Sequence, residues 1–182
     1  MSIGDVRLQV VFYRSDSGAE PVRRWLKSLS VSHKKAIGED IKTVQFGWPM
    51  GMPLVEKLSP YLWEVRTKVP DGNRDREDSP STVSGGRIMT TNKHIGSDFD
   101  EFLAGEGLLA EAEATAVKRI IAYQIRQEME ARHISKSELA EMMKTSRSSL
   151  DRLLDPDNRS VTLLTLETAA HALGKKLKVQ IA

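Results

Sequence analysis

The spacing of apolar and polar residues changes period several times along the chain, and each change marks an element. Val6, Leu8 and Val10 alternate with Arg7 and Gln9, and Val11, Phe12 and Tyr13 extend the run, so the chain opens with a strand. Pro21 stands at a first helical position, after which Val22, Trp25, Leu26 and Leu29 share one helical face while Arg23, Arg24 and Lys27 point elsewhere. A second helix is expected from a Ser32 cap, with Ala36, Ile37, Ile41 and Val44 inward, ending near Phe46 and Gly47. A Pro/Gly/Met loop follows. The stretch LWEVRTKV, residues 62–69, then alternates as a strand. Two strands and two helices make a thin core, and this first segment reads as unfinished.

Periodicity then stops. Residues 70–97 are rich in Gly, Ser, Thr, Asp and Pro, which predicts a flexible linker. Between residues 98 and 113 there are six acidic residues and no Lys or Arg, defining an acidic arm over 98–116. From 117 to 178 the balance reverses, with 12 Lys/Arg against 8 Asp/Glu. The chain therefore divides at 1–69, 70–97, 98–116 and 117–182.

The last division carries the clearest pattern. Val117, Ile120, Ile121, Ile125 and Met129 form the inner face of a helix ending near Ala131. Ser135 and Glu138 form an S-x-x-E capping box before a helix that turns Leu139, Ala140 and Met143 inward. Lys144 and Thr145 make the turn, and the next helix starts near Ser146 with Leu150 and Leu153 or Leu154 buried. Arg147, Ser148, Ser149 and Arg152 are then left outside. Arginines reach base edges or phosphates, and small serines permit close approach to a backbone. A further helix holds Leu163, Leu166, Ala169, Ala170 and Leu173 and stops at Gly174. Leu177, Val179 and Ile181 alternate with Lys176, Lys178 and Gln180 as a last strand, which calls for a partner such as its own copy in a second subunit. Short helix, tight turn and a polar helix start with two exposed arginines are the ingredients of a helix-turn-helix.

Composition narrows the rest. A net charge of +2 over 182 residues does not by itself imply nucleic acid, and the charge variation along the chain matters more. The absence of cysteine excludes disulfides, thiolate chemistry and cysteine-ligated zinc. His33, His94, His133 and His171 lie in separate segments without ligand spacing, so no metal and no cofactor is expected. No signal-peptide pattern opens the chain and no apolar run approaches the length of a membrane span, from which a cytoplasmic location and no membrane partner are expected.

Residues 117–174, through LAEMMKTSRSSLDRLL and TLLTLETAAHALG, resemble the Xre-type, lambda-repressor-like helix-turn-helix family. With the preceding arm and the terminal KKLKVQIA, residues 89–182 resemble a complete HigA-type antitoxin. The resemblance implies a homodimer, formed through residues 175–181, that binds an operator over its own operon, represses it and neutralises a toxin. Two positions depart from the family pattern: Lys144 stands in the turn where Gly is frequent, and Ser137 near where Gln is frequent. Residues 6–69, through VVFYRSDSGAEPVRRWLKSL and LWEVR, are similar to the start of HigB-like toxins of the RelE superfamily, metal-independent ribonucleases acting on messenger RNA. Lys57 and Arg66 match the basic surface of that family, and a loop and strand position that are simply solvated is the equal alternative. The toxin sheet continues where this chain enters PDGNRDREDSPST, so the site is truncated and no enzyme activity is expected.

The fold class expected is thus an α+β N-terminal fragment, truncated and RelE-like, followed by a mostly α-helical helix-turn-helix domain with a C-terminal β-strand. The leading function is a DNA-binding repressor, with helix 146–154 in the major groove. Arg147 and Arg152 are expected on bases or phosphates, Ser146, Ser148 and Ser149 in positioning bonds, and Lys136 on phosphate. The alternative is a protein-binding antitoxin whose acidic arm covers a HigB-type toxin. A ribonuclease fused to its own inhibitor is the third reading, weakened by the truncation. Toxin-like fragment followed by antitoxin suggests two reading frames joined into one, and Met89 lies where a separate antitoxin would begin.

Overall fold

The computed structural model describes residues 8–49, 51, 54–69, 82–84, 93–155, 158 and 161–177. They fall into two compact units, one within 6–116 and one from 117 onward.

The first unit begins with β1 (Val11–Tyr13), in which Phe12 is buried between exposed Val11 and Tyr13. Two helices follow, α1 (Pro21–Ser28) and α2 (Val31–Gly47). Pro21 opens α1 as expected, but the cap of α2 is Ser30 and not Ser32: the Ser30 hydroxyl accepts the His33 N–H at 3.3 Å and also meets the Ser32 hydroxyl at 2.9 Å. Two neighbouring serines compete for one cap, and the one three residues before a free helical N–H takes it.

β2 (Val55–Ser59) lies where a loop was expected, and pairs antiparallel with β3 (Leu62–Val65), Val55 opposite Val65. β4 (Thr82–Ser84) adds to β3, with Trp63 opposite Val83, and completes a three-stranded meander. β5 (Ile95–Asp98) pairs antiparallel with β1, Val11 opposite Asp98 and Tyr13 opposite Ile95. Both β4 and β5 thus fall in or against the segment read as a linker. Their polar composition gives no periodic signal, and pairing with a distant strand supplies the hydrogen bonds that make them strands.

The acidic stretch is folded. Asp98 caps α3 (Phe99–Gly105), accepting the N–H groups of Asp100 and Glu101, and α4 (Leu109–Ala131) starts eight residues ahead of the expected Val117. Phe99, Phe102, Leu103, Leu108 and Ala112 are buried with Phe12 and Leu26 in one core. Phe12 meets Phe99 and Phe102 with ring centroids 5.7 and 5.5 Å apart, the latter edge to face. Gly38 on α2 permits the close approach of Leu103, since a Cβ there would lie 2.9 Å from a Leu103 methyl. Around the core, Lys34 pairs with Glu106 and Lys35 with Glu111, each at 2.5 Å, while the fully buried Lys42 reaches Asp100 at 2.9 Å and Glu113 at 3.2 Å.

The second unit contains the rest of α4, α5 (Lys136–Met142), α6 (Arg147–Leu154) and α7 (Leu163–Ala172). Ile121, Ile125 and Met129 of α4 close a core with Leu139, Ala140, Leu150, Leu153, Leu154, Leu166, Ala169 and Leu173. Residues 175–177 are not a strand, and residues 178–181 of the expected dimerisation strand lie outside the described residues.

Trp25, Trp48 and Trp63 all belong to the first unit, so their fluorescence reports it selectively. Phe99→Ala should destabilise that unit by about 3–5 kcal/mol, through lost apolar burial and the cavity left against Phe12. Urea unfolding followed at the tryptophans measures this, and an unchanged midpoint would remove Phe99 from the core.

Candidate nucleic-acid interface

The pair α5–α6 is set by its caps. Ser135 and Glu138 complete the expected capping box: the Ser135 hydroxyl accepts the Glu138 N–H at 3.2 Å, and the Ser135 N–H donates to the Glu138 carboxylate at 2.7 Å. That second bond holds the Glu138 pKa below its ordinary value. The turn follows without a spare residue. Lys144 takes φ +53°, and Thr145 N–H closes back on the Ala140 carbonyl at 2.9 Å. The left-handed turn explains why glycine is the frequent residue there, since a Cβ raises the cost of that conformation.

Ser146 then caps α6, accepting the Ser149 N–H at 3.1 Å, and the two hydroxyls lie 3.0 Å apart. Leu150, Leu153 and Leu154 fill one face of this helix and are buried. At the other end the Arg126 guanidinium donates to the Leu154 carbonyl at 3.0 Å, tying α6 to α4.

What remains outside is the polar face. Ser146, Arg147, Ser148 and Arg152 are exposed and Ser149 is half-buried. Their freedom differs. The hydroxyls of Ser146 and Ser149 are engaged in the cap, whereas Ser148 makes no side-chain hydrogen bond among the described residues. Arg152 folds back along its own helix, its Nε 3.4 Å from the Ser148 carbonyl and its Nη2 3.4 Å from the Ser149 hydroxyl. Lys136 is exposed, but its ammonium donates to Asp151 on α6 at 2.7 Å. Asp151 is the residue that sequence reasoning passed over. The Lys136 hydrogen bond, with further attraction from Lys136 and Arg147, holds its carboxyl below the ordinary aspartate value. A depressed folded pKa means that this pair is fully stabilising above the unfolded value, about 3.9, and is lost as pH falls below it. The i, i+4 spacing of Arg147 and Asp151 was the available signal.

Lys57 and Arg66, expected on a basic surface, lie on β2 and just after β3. Arg66 is ion-paired with Glu56 and, at 2.7 Å, with Glu64, which raises its pKa. The Lys57 ammonium lies 5.8 Å from the centre of the Trp63 ring. Two carboxylates around Arg66 offset the charge that a basic surface would need. No group of three or more His, Asp or Glu among the described residues is placed to hold a metal ion, and no described helix is long and apolar enough to cross a membrane.

Residues 124–178 match a model of the Cro/C1-type HTH DNA-binding domain. That range contains the capping box, the turn, α6 and α7, so this part of the chain is a DNA-binding helix-turn-helix domain. Neither the curated proteins nor the solved structures give a match to the chain.

Ser146→Ala should cost about 0.5–2 kcal/mol, because the Ser149 N–H loses its acceptor. Thermal unfolding followed by helical circular dichroism tests it, and no loss would show that the cap contributes nothing.

Proposed function

We propose that the chain is a sequence-specific DNA-binding regulator of the antitoxin type, repressing the operon that encodes it. The observation that carries this reading is the start of α6, where Arg147 and Ser148 are exposed above the buried Leu150, Leu153 and Leu154, within a segment that matches a DNA-binding family. With α6 in the major groove, Arg147 contacts a base edge and Ser148 approaches the backbone. Arg152 contacts a phosphate or base after leaving its intrahelical bonds. Ser146 and Ser149 act mainly through the cap that orients Arg147. Lys136 reaches phosphate in exchange for Asp151. Residues 175–181 supply the contact of a homodimer, which places two copies of α6 on successive half-sites about one helical turn apart.

A second reading has its own observation. The carboxylates of Asp100, Glu106, Glu111 and Glu113 fit a lysine-bearing helix, and α2 of this chain occupies them. The same surface would neutralise a HigB-type toxin, with residues 6–69 as an inactive toxin remnant and no ribonuclease activity. A toxin has to compete with α2. Lys34→Ala/Lys35→Ala should therefore raise the amount of HigB-type toxin that co-purifies with the chain, and equal or zero capture by both forms removes this reading.

For the leading reading, Arg147→Ala should relax specificity at one operator position at a cost of about 1–3 kcal/mol. Lys136→Ala should weaken all sites about equally and lower the salt slope by about one. Mobility shifts on the DNA upstream of the gene, titrated with salt against scrambled DNA, measure both. Unchanged binding by the two variants would place the interface elsewhere.

A further inference from the structure

A cleft of about 550 Å³ opens between the end of β1 and α1, lined by Arg14, Gly18, Glu20, Arg23, Arg24 and Lys27 among others. Four cations and one carboxylate line it. Glu20 is already occupied, accepting the Ser97 N–H at 2.6 Å and the Ser97 hydroxyl at 2.7 Å, which ties the cleft to β5. Arg14 and Arg23 approach the same carboxylate at 3.9 and 3.6 Å, distances that leave the hydrogen-bonding capacity of both forks unspent. Arg24 and Lys27 are exposed and make no ion pair among the described residues. The Arg23 Nε is buried and has no acceptor, so a donor has lost water without gaining a partner. Gly18, at φ +79°, has nothing within 4 Å of where a Cβ would stand, and leaves that side of the rim open.

Guanidinium forks match the oxygens of a phosphate in pairs, and the cleft is of a size that accepts a small organic group besides. We propose that this cleft binds a phosphate group, carried either by a free nucleotide or by the backbone of a nucleic-acid strand, with the half-exposed Arg23 side chain turning so that its unsatisfied Nε gains an acceptor there, and with Arg14, Arg24 and Lys27 completing the charge. The site lies wholly in the first unit and does not depend on the helix-turn-helix.

The direct readout is the arginine Nε–Hε region of the nitrogen–proton NMR spectrum of the full chain. The Arg23 signal is assigned by its loss in Arg23→Lys. Inorganic phosphate, adenosine 5′-monophosphate and a single-stranded DNA 12-mer are titrated separately. The 12-mer is tested with Arg147→Ala/Arg152→Ala, so that α6 does not contribute. The Arg23 signal should move downfield and saturate with at least one ligand, and Arg24→Ala/Lys27→Ala should weaken that binding by about tenfold or more. Tighter binding of the mononucleotide identifies the free nucleotide as the source, and tighter binding of the 12-mer identifies the strand. A signal that stays still with all three, or moves identically in Arg24→Ala/Lys27→Ala, overturns the site.

Discussion

The buried side of α6 determines what the outer side can do. Leu150 and Leu153 are at most 1% exposed and share a core with Leu139 of α5, Leu166 of α7 and Leu173 just after α7. Each fully buried leucine contributes about 1.5–3 kcal/mol relative to exposure, so rotating α6 about its axis would forfeit several such terms together. Arg147, Ser148 and Arg152 are outward because the leucines are inward. The caps add the second constraint: Ser146 fixes where the helix begins, and Lys144 with its left-handed turn fixes the angle of entry. The outward face of so short a helix therefore owes its position to the leucines on its inner face.

The first unit depends on a different balance. Lys42 is completely buried, and a buried ammonium is tolerated only with close opposite charge. Asp100 and Glu113 provide it, and the Lys42 ammonium also lies 4.6 Å from the centre of the Phe46 ring. The partners lie on α3 and α4, whose apolar sides carry Phe99, Phe102 and Ala112 into the core beside Phe12. Charge and apolar burial thus act on the same pair of helices. The acidic stretch is consequently a structural part of the unit that contains β1, α1 and α2. Four of its carboxylates, Asp100, Glu106, Glu111 and Glu113, are already paired with lysine.

Local signals were legible in the sequence and non-local ones were not. The Ser135/Glu138 box, the helix start near Ser146, Pro21 and the stop at Gly174 each act over a few residues, and the structure contains all of them, while the cap expected at Ser32 falls on Ser30. β2 escaped because Val55 is its single buried residue, so its strand character comes from the opposing Val65. β5 was hidden in a polar stretch, yet its glycine is required: a Cβ at Gly96 would come within 2.6 Å of the Phe12 carbonyl and 2.5 Å of the Glu20 carboxylate. The start of α4 was masked by Glu111 and Glu113 between its apolar positions, and their partners Lys35 and Lys42 stand far earlier in the chain. At the candidate interface the exposure of Arg147, Ser148 and Arg152 was legible from the leucine spacing, whereas Ser149 is half-buried. The engagement of Lys136 by Asp151 and the folding back of Arg152 were not, because both depend on side-chain conformation.

The placement of α6 in the major groove is tested most directly by methylation interference on the DNA upstream of the gene, bound by the full chain. Methylation of guanine N7 lies in the major groove and methylation of adenine N3 in the minor groove, so the two modifications separate the grooves chemically. Interference by N7 methylation in two half-sites about one helical turn apart is the predicted result. Specific binding that tolerates N7 methylation but is blocked by N3 methylation, or the absence of any sequence-specific binding, would contradict it.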